Sequence, residues 1–458
     1  MIAGLKPYSS YHEIDPSAFG SVPAHWSVMP IARVATLKSV VNQPERQLLS
    51  VYLQRGVVRF TDIEEKRTNV TSHDLSRYQV VDPGDFVLNN QQAWRGSVGV
   101  SQFSGIVSPA YLVLSLSQSY LTGYANFLFR DQSMVSQYLI CSKGVGTIQR
   151  NLYWPHLKRV EVVMPPLTEQ AAIVRFLNWA DGRLERAMRS KRKVIALLHE
   201  QRQAIIHRAV TRGLDANVPL KASEVPWLGD VPAHWDLKPN RSFLRVRKAL
   251  VGERHTDYQL LSLTKRGVII RDLSENKGKF SSDMGTSQEV RPGDLVFCLF
   301  DVPETPRTVG LSKHRGMITG AYTVMESDDL SVARFVEAFY IAMDDRKLLS
   351  PLYSGLRNTI PKARLLGAKT PIPPASELGD ILAFVTAEST RIQGAVDKLE
   401  REISLLQEYR ARLVADVVTG KVDVREAANK VPEDIPTDIT ADMDHWDTAD
   451  NLDQEARV

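Results

Sequence analysis

Apolar residues along this chain keep two different rhythms, and the rhythm changes by region. In 374–425, Ile392, Val396, Leu399, Ile403, Leu406, Leu413 and Val417 follow alternating steps of four and three, with Arg410 in the one polar slot. The same steps lie 208 positions earlier, in 166–213, at Leu184, Met188, Lys191, Ile195, Leu198, Arg202, Ile205 and Ala209. The spacing predicts two long amphipathic helices of roughly 45 residues, each about 65 Å of rod. A Pro-Pro pair precedes each (165–166 and 373–374), Thr168 or Ser376 can cap the first free amides, and Glu169 or Glu377 suits the positive end of the helix dipole. Gly213 and Gly420 offer stops at the far ends.

Outside these helices the pattern shortens. LLSVYL (48–53), GDFVLNN (84–90) and AYLVLSL (110–116) are β-type runs bounded by Gly, Pro and Asp, and each Pro-Gly-Asp triplet reads as a turn entering a buried strand. Residues 124–140 and 333–353 return to helical spacing. The expected fold class is α+β: one mixed domain at 1–165, a helix at 166–213, a second mixed domain at 214–373 and a second helix at 374–425.

The two halves are copies. VPAHW stands at 22–26 and again at 231–235, and VVDPGDFVLN (80–89) meets EVRPGDLVFC (289–298) at the same offset of 209. GSVGVSQFSGIVSPAYLVL (96–114) parallels TVGLSKHRGMITGAYTVM (308–325), and MPPLTEQAAIVRFL (164–177) parallels IPPASELGDILAFV (372–385). An internal pseudo-twofold repeat follows. Two apolar seams in one chain most economically zip together, so an antiparallel coiled coil is expected, with the mixed domains at its two ends. A rod of this length spans nearly two turns of B-DNA at about 34 Å per turn, which suits a ruler between two readers.

Composition narrows the class. The 458 residues are 43% hydrophobic and 24% charged, near the globular average, with no apolar run of the ~20 residues that a membrane span requires. A cytoplasmic protein without membrane partners is expected. Nine of the acids fall in 432–458 against one base, so residues 1–431 carry +12, a balance that suits a polyanion; the acidic end, 426–458, is expected to be disordered. Cys141 and Cys298 have no partner at metal-ligand spacing and are read as buried thiols.

Motifs for chemistry are missing. An adenine methyltransferase needs an Asn/Asp-Pro-Pro-aromatic stretch to grip the flipped base, whereas Met-Pro-Pro-Leu and Ile-Pro-Pro-Ala offer neither acceptor nor ring. KGVGTIQR (143–150) lacks the spacing and ending of a phosphate loop. His25 and His234, each beside a Trp with no carboxylate or cysteine cluster nearby in sequence, are expected to close each domain against its helix root.

Taken in order, VPAHW, PGDFVL, GSVGVSQFSGIVSPAYLVL and PPLTEQAAIVRFL, followed by VPWLGDVPAHW, CLFDVPETPRTVGLS, GMITGAYTV and RLVADVVTGKVDVRE, resemble the specificity (S) subunits of type I restriction-modification systems. The resemblance runs from residue 20 to about 425; the second copy departs from it at Leu378, where the first has Gln170. It implies that 1–165 and 214–373 are target-recognition domains reading the halves of a split site on double-stranded DNA. The helices would set the spacer and dock two methyltransferase (M) subunits, and restriction (R) subunits would join for cleavage. S-adenosylmethionine, ATP and Mg would sit on those partners, and this chain would be non-catalytic and bind no cofactor or metal.

Candidate DNA contacts are polar and basic residues on Gly-rich loops: Gln91, Gln92, Trp94 and Arg95, then Lys143, Thr147, Gln149, Arg150 and Asn151. The second copy offers Arg307, Thr308, Arg357, Asn358, Lys362 and Arg364. Gln and Asn can pair bidentately with adenine and Arg with guanine, whereas Lys more often meets phosphate. MRSKRK (188–193) is a further basic patch, on the first helix. Two rival readings are an autonomous bipartite DNA-binding regulator and a coiled-coil protein scaffold.

Overall fold

The computed structural model describes residues 5–14, 18–53, 55–62, 74–145, 149–271 and 284–432. It divides into two units, one of residues 1–190 with 402–458 and the other of 191–401, so each unit takes one end of both long helices. Helix and sheet are mixed in each.

In the first unit a four-stranded antiparallel sheet runs in the order Ala35–Leu37, Tyr111–Leu116, Asp85–Asn89, Val98–Val100. The alternating and continuous apolar runs explain it: Phe86, Val87 and Leu88 are all fully buried because both faces of this central strand are covered. Two short helices, Thr122–Arg130 and Gln132–Ile140, place Tyr124, Phe129 and Tyr138 on one face of that strand, where Phe86 stacks on Phe129. On the other side Leu49, Val51, Val57 and Val81 form a smaller cluster with Val87.

The second unit repeats the strand order: Arg245–Val246, Thr323–Glu326, Leu295–Phe297, Val309–Leu311. One helix, Leu330–Asp345, stands where the first unit has two, and packs Phe335, Phe339 and Tyr340 on the sheet beside Trp235. Small details recur as well. Gly84 and Gly293 take φ of 94° and 93° in the Pro-Gly-Asp turns, a left-handed conformation that a side chain would strain. The following aspartates anchor a cation of the neighbouring segment, Lys38 Nζ on Asp85 at 2.5 Å and the Arg247 guanidinium on Asp294 at 2.8 Å. The Val100 amide donates to Asn126 Oδ1, and the Leu311 amide to Glu337 Oε1.

The two long helices span Leu167–Arg212 and Ala375–Val418. Their starts differ slightly from expectation. The Pro166 and Pro374 carbonyls accept the first helical amides, those of Glu169 and Glu377, so Thr168 and Ser376 lie inside the first turn instead of capping it. The second helix also stops at Val418, seven residues before 425, and Gly420 follows with φ 80°. Chain beyond it stays folded: Arg425–Asn429 is a short helix, Val424 and Ala428 belong to the first unit's core, and Val431 is buried too, past the expected start of the tail at 426. Residues 433–458 lie outside the described residues.

Seam positions are the covered ones where the chain is described. Met188, Ala209, Ile392, Val396, Ile403, Leu413 and Val417 are buried, and Leu184, Lys191, Ile195, Leu198, Arg202 and Ile205 half-buried. In the first unit Arg410, in the polar slot, forms a bidentate ion pair with Asp181 of the first helix. Cys141 and Cys298 are buried and free, and burial pushes the Cys298 thiol up to about 11. Among the described residues no helix is long and apolar enough to cross a membrane, and no group of three or more metal-ligating side chains converges.

Candidate nucleic-acid interface

Each domain meets its helix through the repeated His-Trp pair. In the first unit His25 Nε2 lies 2.7 Å from Glu169 Oε2, Trp26 Nε1 donates to Glu169 Oε1 at 3.0 Å, and the Tyr8 hydroxyl donates to the same oxygen at 2.5 Å. Burial and the adjacent carboxylate hold the Tyr8 phenol far above its ordinary range, so it remains a donor. In the second unit His234 Nε2 lies 2.5 Å from Glu377 Oε1, and Trp235 Nε1 donates to Oε2 at 3.0 Å. The histidines thus fix the first turn of each long helix. The carboxylate that completes the cluster is 144 or 143 residues away in sequence, which is why it was not visible beside VPAHW.

Gln170 is fully buried and ties its helix to the preceding loop: Nε2 donates to the Ser119 and Pro165 carbonyls, and Oε1 accepts from the Leu121 amide. Leu378 fills that place in the second unit at 5% exposure, exchanging hydrogen bonds for apolar contact.

The candidate loops of the first unit come together. The loop 89–96 turns through the short helix Ala93–Arg95, and the hairpin Ser142–Val145/Gln149–Leu152 is laid against it by a hydrogen bond from the Leu152 amide to the Asn90 carbonyl. Trp94 is half-buried between two cations: the Arg95 guanidinium lies 5.2 Å from its ring centroid and that of Arg150 lies 5.8 Å away. Its Nε1 donates back to the Gln91 carbonyl, which fixes the ring. Gln91, Gln92, Arg95, Lys143 and Asn151 are exposed, and Lys143 and Asn151 face one another across the hairpin. Thr147 lies outside the described residues, and of Gln149 only the backbone, paired with Val145, is described. Tyr153, 46% exposed with Lys143 Nζ 4.6 Å from its centroid, belongs to this surface and was missed; an aromatic residue just past a basic hairpin was the signal.

In the second unit the same tie recurs, from the Ile360 amide to the Leu299 carbonyl at 2.7 Å. The turn 354–359 is closed by reciprocal bonds between Ser354 and Thr359, and Asn358 sits at φ 44°. Arg357 reaches Asp301 at 3.4 Å while 79% exposed, and Arg364 Nη1 donates to the Tyr353 carbonyl at 2.8 Å. Asn358, Lys362 and Arg364 are exposed, and Leu356, also missed, projects fully at the turn's tip. Two expected contacts sit differently. Thr308 is only 1% exposed, with its amide held by Asp344, so it supports the sheet and does not reach a surface. Arg307 is half-buried and paired with Asp345 at 2.8 Å, a partner it must leave to grip anything else.

The basic patch on the first helix is also engaged: Arg189, Lys191 and Arg192 all have partners.

No family model matches the chain. A curated protein of Methanocaldococcus jannaschii, named as the type I restriction enzyme MjaX specificity subunit, is 19% identical over 434 residues, covering 89% of this chain and 96% of its own length. A chain from a solved type I restriction-modification system, in work on its complex assembly and conformational transition, superposes with a TM-score of 0.61 at 13% identity, covering 87% of this chain and 98% of the other. The chain is similar to type I restriction-modification specificity subunits. The HsdS subunit of Thermoanaerobacter tengcongensis aligns over 87% of this chain and 98% of its own at 14% identity, with a TM-score of 0.46. At 13% identity, the superposition at a TM-score of 0.61 speaks for the fold alone.

Proposed function

We propose that this chain is the non-catalytic DNA-specificity subunit of a type I restriction-modification complex. Residues 1–165 and 214–373 read one half-site each of a bipartite duplex target, and the helices at 166–213 and 374–425 form an antiparallel coiled coil that sets the unread spacer. The whole has internal pseudo-twofold symmetry, and its helices and domain roots receive two methyltransferase subunits. Restriction subunits complete the assembly. S-adenosylmethionine, ATP and Mg act on those partners, in the cytoplasm, with adenine N6 as the methylated atom.

One observation carries the reading. Each unit presents the same pair of loops, joined by the same backbone hydrogen bond (Leu152 to Asn90, Ile360 to Leu299), yet clothes them in different polar chemistry. A shared frame with divergent side chains suits two readers of different base sequences. The reading surface comprises Gln91, Gln92, Trp94, Arg95, Lys143, Thr147, Gln149, Arg150 and Asn151 in one unit, and Arg357, Asn358, Lys362 and Arg364 in the other, with Arg307 available once Asp345 releases it.

Methylome sequencing of cells expressing the chain with its cognate methyltransferase tests this. N6-methyladenine at one bipartite motif is expected; replacing residues 1–165 with those of a relative changes one half-site, and lengthening both helices changes only the spacer. A competent methyltransferase that leaves no modified motif refutes the proposal. Tight, site-specific DNA binding by the chain alone, with no dependence on a methyltransferase, supports the autonomous regulator instead.

A further inference from the structure

At the end of the first long helix, wholly within the second unit, lies a cavity of about 480 Å³ lined by His207, Arg208, Thr211, Arg212, Asp215 and Arg346. Three guanidiniums border it, and none of the three has an ion-pair partner among the described residues. Asp215 is the acid of the lining, and its Oδ1 is taken by the Asn217 amide at 2.8 Å. The Nδ1 of His207 is buried without a hydrogen-bond partner among the described residues.

We propose that this cavity binds a phosphate group. A carboxylate presents one edge and satisfies one guanidinium fork, whereas a tetrahedral oxyanion has acceptors enough for three. Arginine near a helix C-terminus is ordinarily explained by the dipole, which covers Arg208 and Arg212. Arg346, the C-cap residue of the helix Leu330–Asp345, falls under the same rule, but the dipole does not account for the cations of two helix ends meeting at one cavity.

The internal repeat sharpens the point. Thr211 has an exact structural counterpart in Thr419, since each hydroxyl donates to the carbonyl four residues before it, that of His207 or Ala415. Around this fixed pair the cations do not repeat. Ala415 stands for His207, Asp416 for Arg208, and the second helix passes directly from Thr419 to Gly420 where the first inserts Arg212. Building the helix end therefore needs none of them. Burial, and after it the charges of Arg346 and Arg212, lowers His207 to about 4, and an anion would neutralise the second of these causes.

The test uses the full-length chain and inorganic phosphate, titrated at constant ionic strength against chloride. Saturable binding is expected by calorimetry, and in the R208Q/R212Q/R346Q variant it weakens by at least about tenfold. All three side chains are exposed, so an unchanged melting profile is expected, and R346K serves as a charge-preserving control. In the wild type the His207 titration midpoint, followed by NMR, moves upward as phosphate is added. Absence of saturable binding, or equal binding by the triple variant, overturns the proposal. A second arm identifies the source, using a duplex of arbitrary sequence. If the triple variant lowers the slope of log K against log salt by about two to three, the phosphates are those of the DNA backbone. If the slope is unchanged while phosphate binding is lost, the ligand is a free phosphate or nucleotide. Neither result depends on site-specific reading, so the outcome is separable from the methylome experiment.

Discussion

Replacing Glu169 by Ala should cost far more than replacing Glu377, although the two residues occupy the same position in the repeat. Glu169 is 4% exposed and serves three groups, and two of them, Tyr8 and Trp26, are 5% and 3% exposed. Removing their acceptor strands both donors inside the protein, at roughly 1.5 kcal/mol each. The His25 contact, with a side chain 41% exposed, adds under about 1 kcal/mol because water replaces it. The expected loss is about 3–4 kcal/mol. Glu377 is 40% exposed and serves two groups, of which His234 is itself 40% exposed, so E377A should cost about 1–2 kcal/mol. Equilibrium urea unfolding of the full-length variants, with tryptophan fluorescence and circular dichroism followed together, gives both numbers. E169Q, which retains an acceptor but not the charge, should fall between wild type and E169A. Equal losses for the two alanine variants, or a larger loss for E377A, would refute the idea that burial of the first cluster sets its strength.

The helix ends offer a second comparison. Gly420→Ala places a methyl 2.7 Å from Pro23 Cγ and 3.0 Å from Trp26 Cζ3 at φ 80°, whereas Gly213→Ala meets Trp235 Cζ2 at 3.3 Å at φ 74°. Calorimetry should therefore find G420A the more destabilised, by more than about 3 kcal/mol against about 1–2 for G213A. Burial lifts the Glu337 carboxyl above the usual range even though the Leu311 amide donates to it. Its folded pKa being raised, wild-type stability falls as pH rises through that value, so E337Q should gain on wild type from pH 5 to 8; denaturant midpoints showing no pH-dependent gain would contradict this. His207 is lowered to about 4 by burial, Arg346 and Arg212, so its neutral form belongs to the fold. Stability should be complete above pH 6.5 and decline from there through pH 4, and H207Q should remove that part of the acid loss in thermal melts.

Much of this architecture is legible from periodicity, because a heptad seam and its 208-residue echo depend only on which residues are apolar. Both helices begin and end within a few residues of their expected bounds, apart from the early stop at Val418. What the sequence hides are partnerships across long separations. Nothing near VPAHW announces Glu169, and nothing near PETPRTVG announces Asp344 and Asp345, which lie 36 and 38 residues on and occupy Thr308 and Arg307.

The repeat itself nevertheless held the means to sort the loop residues. Thr308 aligns with Ser97, and Ser97 is also fully buried, its hydroxyl given to the Val51 carbonyl. A small hydroxyl retained at one register in both copies marks frame, which is what the structure finds at both places. Positions where the register is kept and the chemistry is not have the opposite meaning. Counting back 208 residues from the Ile360 and Leu152 ties, Arg357 falls on Gln149 and Asn358 on Arg150. A guanine-type donor fork in one copy thus faces an amide in the other, in both directions. Under the proposed function, agreement between the copies marks the scaffold that a half-site reader needs, and disagreement at a shared register marks where the two readings would part. By that criterion, exchanging the pair Gln149-Arg150 for Arg-Asn in the first unit should alter one half-site while leaving the fold and the spacer unchanged.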